Sequence, residues 1–249
     1  MMKTSLHLNG NEYSINLEKG IEISIPFHGG IDQVNCFYAP IFSVDAVRMK
    51  SFIGSVAEGG PVNFTNVKIN VHGNGTHTEC FGHISKEFNS VNKLFSKYFF
   101  TNTLISIYPT KLENGDMCIE KETLHAFLDD YKTEALTIRC LPNTEHKKNR
   151  KYSGTNPCYI SPDAMKYIVE LGVKHLLVDF PSVDREEDGG KLESHKIFWS
   201  SDRWKDCTIT ELIFVPDEIS DGENILHLQL ADLVLDAVPS RPIIYEIIK

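Results

Sequence analysis

Val67-Lys-Ile-Asn-Val-His-Gly-Asn-Gly-Thr-His-Thr-Glu-Cys-Phe-Gly-His83 is the stretch from which the rest of the chain is read. Val67, Ile69 and Val71 alternate with Lys68, Asn70 and His72, the period of a half-buried strand. This predicts a strand whose polar face ends in His72, followed by a tight backbone turn over Gly73-Asn74-Gly75. Beyond the turn, His77 and Glu79 stand two residues apart, so extended chain points both the same way. His83 follows four residues later, within reach of the same pocket. Imidazole nitrogen and carboxylate oxygen are what zinc, manganese or iron accept, and a catalytic site needs three such donors plus an open position for water. A lone histidine here would be read as a side chain bonded to nearby backbone. Three histidines and a carboxylate within the twelve residues from His72 to His83 are read as a metal site.

Working outward, residues 5–17 predict a hairpin, Leu6-His-Leu8 and Tyr13-Ser-Ile-Asn-Leu17, closed around Asn9-Gly10. Ile21-Glu-Ile-Ser-Ile-Pro-Phe27 alternates as a strand and ends at His28-Gly29-Gly30. Residues 31–66, rich in turns and aromatics, read as a long connection covering the site. Strands are expected at 104–108, 135–139, 175–180, 209–214, 225–230 and 243–247. A helix over Lys121–Tyr131 places Leu124, Phe127, Leu128 and Tyr131 on one face. A second helix begins with Ser161 as N-cap and Pro162 at its first position, stops at Gly172, and turns Met165, Ile168, Val169 and Leu171 to a core. His175-Leu-Leu-Val-Asp-Phe180 is apolar enough for a central strand. The strand–helix alternation from 104 to 180 points to one α/β domain with extra antiparallel strands.

Hydrophobic content of 41% and charged content of 24% are those of a soluble globular chain of 249 residues. A net charge of −9 argues against nucleic acid or an anionic membrane as partner, since both reward a basic surface. The polar start of the chain offers no secretory segment, and no apolar run is long enough to span a bilayer, so a cytoplasmic location is expected. Six scattered cysteines without a C-x-x-C pair suit free thiols in that compartment. Cys80, beside the better-placed Glu79, is read as pocket lining.

The same residues resemble the cyclase family of bacterial kynurenine formamidases and isatin hydrolases, whose signature is H-x-G-T-H-x-D-x-P-x-H. Gly75-Thr76-His77, Glu79 and His83 fall in register with it. Ile21-Glu-Ile-Ser-Ile-Pro26, Ile160-Ser-Pro-Asp-Ala164, Leu171-Gly-Val173, Val178-Asp-Phe-Pro-Ser-Val-Asp184, Ser194-His195 and Glu211 follow in the family's order. The resemblance runs over roughly residues 20 to 247. It implies a single-domain swivelling β/β/α fold with a mixed central sheet, in which residues 1–19 form a hairpin extension and 20–249 a metal-dependent hydrolase domain. It further implies His72, His77 and Glu79 as ligands of a divalent metal, zinc or manganese, with His195 and Glu211 helping to hold a second ion. His83 is implied as the acid/base, N-formylkynurenine or isatin as the kind of small-molecule substrate, and a homodimer as the assembly.

The chain departs from the signature in four places. Glu79 replaces Asp, Phe81 replaces the proline, and His72 stands five residues before His77 where the family has four. The interval from His195 to Glu211 is longer than usual. The competing expectation is therefore a relative that has given up its metal and binds a small molecule or a partner; the retained donors and His83 speak against it. His28-Gly29-Gly30 resembles an esterase oxyanion loop, but no serine is flanked as G-x-S-x-G, which excludes that class. Asp179 and Asp184 are candidates to orient ligands or simply turn residues. Lys147, Lys148, Arg150 and Lys151 read as a solvated loop, Trp199 and Trp204 as core. His7, His125, His146, His175 and His227 lack partners at ligand spacing and read as structural or surface residues.

Overall fold

The computed structural model describes residues 2–128 and 133–248. Strands β1 (Lys3–Leu8) and β2 (Asn11–Asn16) form the expected hairpin. Asn9 and Gly10 at its tip both take positive φ, 52° and 83°, the twist a two-residue loop needs. Ile15 of β2 packs on Ile225 and Tyr245, so the hairpin leans against the main sheet.

That sheet has eight strands: β3 (Ile21–Glu22), β4 (His77–Glu79), β5 (Phe99–Ile107), β6 (Ala135–Cys140), β7 (His175–Val178), β8 (Thr208–Glu211), β9 (Gly222–Leu230) and β10 (Ala237–Glu246). Their order is β9-β5-β6-β7-β8-β4-β10-β3, and β10 also pairs back onto β9. All but β3 therefore close a ring. Strands β5 to β8 run parallel; β4, β9 and β10 are antiparallel to their neighbours.

Inside the ring, Leu104, Leu177, Leu226, Leu228 and Ile244 form one apolar cluster. Outside it, α2 (Lys121–Leu128), α3 (Pro162–Glu170) and α4 (Glu193–Phe198) cover Leu136, Ile138, Leu176 and Val178. β7 is thus apolar on both faces, which is why it reads as a continuous hydrophobic run. α3 starts as expected, with the Ser161 hydroxyl accepting from the Ala164 N–H and Pro162 in the first turn. Gly172 beyond it takes φ +80°.

Several local expectations are corrected. The stretch 67–72 is not a half-buried strand. Thr65–Lys68 pairs with Ser43–Ala46 on a surface arm and is exposed along its length, whereas Val71–Asn74 is a helical turn, α1. Two asparagines divert the chain: Asn70 Oδ1 accepts from the Gly73 N–H, and Asn74 Oδ1 accepts from the Asn70 N–H. Such local side-chain bonds compete with a ladder. Residues 36–40 brace this turn, where a Cβ on Gly73 would come within 2.4 Å of the Ala39 Cβ, so glycine is required by space. The arm at 43–68 bonds to itself and leaves Val44, Met49, Phe64 and Val67 exposed.

The strand expected over 21–27 shrinks to Ile21–Glu22 and one bridge, Ser24 to Ile213. Ile25 spends its N–H on the Thr76 hydroxyl and its carbonyl on the Thr76 N–H, and Pro26 has no N–H to give. Phe127 of α2 faces solvent rather than core, and Tyr131 lies outside the described residues. Lys147 is no solvated loop residue: it is buried, and its ammonium donates to Asp179 Oδ2 at 2.7 Å. Asp179 consequently serves that ion pair. Cys80 packs with Val91 and Val238 in a small core instead of lining the pocket.

His175 is structural, as expected. Its ring lies 4.1 Å from that of Phe100, and its Nδ1 pairs with the Thr208 hydroxyl at 2.9 Å. Burial, with Lys174 and Lys97 acting in the same sense, drives the imidazole from 6.5 down to about 3. The unfolded chain takes the proton near 6.5 and the folded chain only near 3. The stabilising contribution is therefore whole above about 6.5, declines by ~1.4 kcal/mol per pH unit below it, and stops declining near 3. Denaturant unfolding across that window should show a shallower loss of stability for His175→Gln than for wild type. Equal slopes would remove His175 as the source.

Candidate active site

Short β4 lies between β8 and β10, with His77 opposite Glu211 and Glu79 opposite Ala237. Thr78 turns to the other face and pairs with the Thr210 hydroxyl at 2.7 Å, so His77 and Glu79 share the remaining face, fully buried. His77 Nδ1 donates to the Gly75 carbonyl at 3.1 Å, which leaves Nε2 with its lone pair free. That nitrogen lies 3.4 Å from Glu211 Oε2, while Glu211 Oε1 accepts from the Val183 N–H at 3.1 Å.

Glu79 is the centre of the cluster. Its Oε1 is 3.1 Å from His195 Nε2; its Oε2 is 3.3 Å from His72 Nδ1 and 3.8 Å from His83 Nδ1. His195 comes from α4, where its Nδ1 donates to Asp184 Oδ2 at 2.5 Å. Asp184 also accepts the N–H groups of Ser194 and His195, fixing the start of α4 against the sheet. His72, on α1, brings its ring within 5.0 Å of His77 and 4.4 Å of His83.

All six residues singled out in the sequence, His72, His77, Glu79, His83, His195 and Glu211, therefore converge at one end of the ring. His72 is carried on α1, which brings its Nδ1 to 3.3 Å from Glu79 Oε2. Of the two aspartates weighed as orienting groups, Asp184 holds His195 and Asp179 does not touch the cluster. Asp236 was missed. Its Oδ2 lies 3.5 Å from His72 Nε2 and 3.7 Å from His83 Nδ1. Nothing near it in sequence marks it; only the pairing of Ala237 with Glu79 brings it in.

Burial opposes a charge on His72, but Asp236 and Glu79 outweigh it and raise the imidazole to about 10. Burial likewise opposes charge on His195, and Asp184 and Glu79 again prevail, to about 10. Glu79 is held well below its ordinary range against burial by His83, His195 and His72. Contact with His72 and His83 lowers Asp236.

A divalent cation fits this donor set. His77 Nε2 and Glu79 Oε2 are buried with no hydrogen-bond partner among the described residues, a state that costs roughly 1–3 kcal/mol per group unless something fills it. Two ligands each ~2.0–2.2 Å from one tetrahedral ion stand roughly 3.3–3.5 Å apart. The His72–Glu79 separation is 3.3 Å. Among the described residues, three groups bring one donor atom from each member within 4.8 Å of the others: His72, His77 and Glu79; Glu79, His83 and His195; His72, His83 and Asp236.

Fold and cluster together define a class: a closed mixed barrel flanked by helices, with imidazoles and carboxylates gathered where its parallel and antiparallel parts meet. The chain belongs to the family described as "Putative cyclase", whose model matches residues 21–185. It is 26% identical over 191 residues to the kynurenine formamidase of Bacillus anthracis, covering 76% of this chain and 83% of that protein. Isatin hydrolase A from Labrenzia aggregata has a similar structure, with a TM-score of 0.67 at 11% identity over 92% of this chain and 93% of the other. A structure titled as a potential metal-dependent hydrolase with cyclase activity superposes with a TM-score of 0.65 at 16% identity, covering 92% of this chain and 98% of the other. These likenesses establish the cyclase fold expected from the sequence. Among the described residues no helix is long and apolar enough to cross a membrane.

Proposed function

We propose that the chain is a metal-dependent hydrolase of an amide-like bond, of arylformamidase type, splitting N-formylkynurenine into kynurenine and formate in tryptophan catabolism. The observation that carries this reading is the buried, unpartnered pair His77 Nε2 and Glu79 Oε2 within a ring of further imidazoles. His72, His77 and Glu79 would hold one divalent ion, zinc or manganese, and His195 and Glu211 would help to hold a second. Bound there, the ion supplies Lewis acidity and lowers the pKa of its water from near 16 to about 7.

The chain's own residues do the rest. Asp184 accepts from His195 Nδ1, so Nε2 is the nitrogen presented to Glu79. The Gly75 carbonyl does the same for His77 from the other side of the cluster. His83, with 30% of its side chain exposed, stands at the rim, where it can pass a proton to a departing amine. The similarity to kynurenine formamidases supports the choice of substrate.

The test is elemental analysis of the purified chain, followed by assay on N-formylkynurenine and isatin. At least one tightly held transition metal per chain is expected, with formamide turnover abolished by chelation and restored by zinc or manganese. A chain that is metal-free and takes up neither ion would overturn the metal reading. A metal-loaded chain active on isatin alone would overturn the substrate.

A further inference from the structure

We propose that Asp236 selects the nitrogen that His72 presents to the cluster, acting as a positioning residue for that histidine. The inference rests on the metal reading above.

The backbone at Asp236 is pinned on both sides. The Cys80 N–H donates to the Asp236 carbonyl at 3.0 Å, the Val91 N–H to the Leu235 carbonyl at 3.0 Å, and Ala237 pairs with Glu79. Gly82 lies so close that a Cβ there would come within 3.0 Å of the Asp236 Cβ and 2.4 Å of the Asn89 carbonyl oxygen. The carboxylate is thus delivered to the rim by main-chain pairing rather than by a mobile loop.

His72 has a carboxylate beside each ring nitrogen: Glu79 Oε2 at 3.3 Å from Nδ1 and Asp236 Oδ2 at 3.5 Å from Nε2. A cation would displace the second proton of His72, leaving a neutral imidazole with one N–H to give and one lone pair to offer. With the N–H directed at Asp236, the lone pair on Nδ1 faces buried Glu79 and the unpartnered His77 Nε2. The reverse tautomer would aim the lone pair at the solvent rim. Asp184 performs the equivalent service for His195 across the cluster, so Glu79 lies between two histidines, each backed by its own aspartate.

The experiment uses the purified full chain as wild type, Asp236→Ala, Asp236→Asn, His72→Ala and the His72→Ala/Asp236→Ala double variant. Zinc affinity is read by chelator competition, and the electronic spectrum is recorded after cobalt substitution. Asp236→Ala is expected to weaken zinc by ~10–100-fold and to shift the cobalt bands. Asp236→Asn, which keeps an acceptor oxygen, recovers part of the loss. In the His72→Ala background, removing Asp236 changes nothing further. A wild-type affinity and spectrum in Asp236→Ala, or an equal further loss in the His72→Ala background, would overturn the inference alone. Wild-type chain that takes up neither metal would overturn both it and the reading beneath it.

Discussion

Glu79→Gln is expected to reduce metal affinity by more than ~10²-fold, beyond the range for a residue that merely orients a ligand, and turnover in proportion. The side chain is fully buried, and its two oxygens divide the cluster between them, one toward His195 and one toward His72 and His83. The amide keeps the shape and removes the charge, so packing is not what the variant tests. It also replaces one acceptor oxygen with an NH₂ group that cannot accept from, or bind alongside, the imidazoles. Glu79→Asp is the informative companion. It restores the residue of the signature but draws the oxygens back by roughly one C–C bond, about 1.5 Å, away from imidazoles that the present chain places for glutamate. A partial loss is expected, smaller than that of the amide. Titration of each variant with zinc checks both, and undiminished uptake by Glu79→Gln would place the centre elsewhere.

His83→Ala should leave metal content unchanged and lower turnover by ~10²–10⁴-fold, the usual contribution of a positioned acid or base. The distances separate it from the others. Its Nδ1 lies 3.8 Å from Glu79 and 3.7 Å from Asp236, looser than the 3.1–3.4 Å contacts of His72, His77 and His195. Its ring is also 30% exposed, where a substrate can meet it. The fall should lie in kcat rather than KM, because proton transfer to the leaving group matters in the transition state and not in binding. Metal analysis beside the kinetics decides the matter, since loss of the ion would make His83 a ligand.

The parts of the fold legible in the sequence were those with local causes. Asn9-Gly10 set the hairpin, Ser161-Pro162 and Gly172 bounded α3, and an unbroken apolar run marked β7. Residues 67–74 misled because alternation in sequence does not say whether either face is covered. Val67 alternates correctly and is 57% exposed, and two asparagines a few residues on supply the competing bonds. The cluster was legible where residue types recur at short intervals, from His72 to His83, and through family order at His195 and Glu211. Asp236 carried no such mark. It joins the cluster through strand pairing between segments more than 150 residues apart, a long-range register that neither composition nor period encodes. Lys147 carries no local mark either, because its partner Asp179 lies on a different segment of the chain.

Three-residue β4 is the last stave of the barrel, the piece without which β8 and β10 do not meet. It also carries His77 and Glu79, while the groups they face arrive from β8, α4 and the approach to β10. Closing the barrel therefore also sets His77 and Glu79 opposite Glu211 and His195. A chain that has built only its parallel staves lacks the strand that carries His77 and Glu79, and any cation bound between them and their partners would tie the closing strand to the rest.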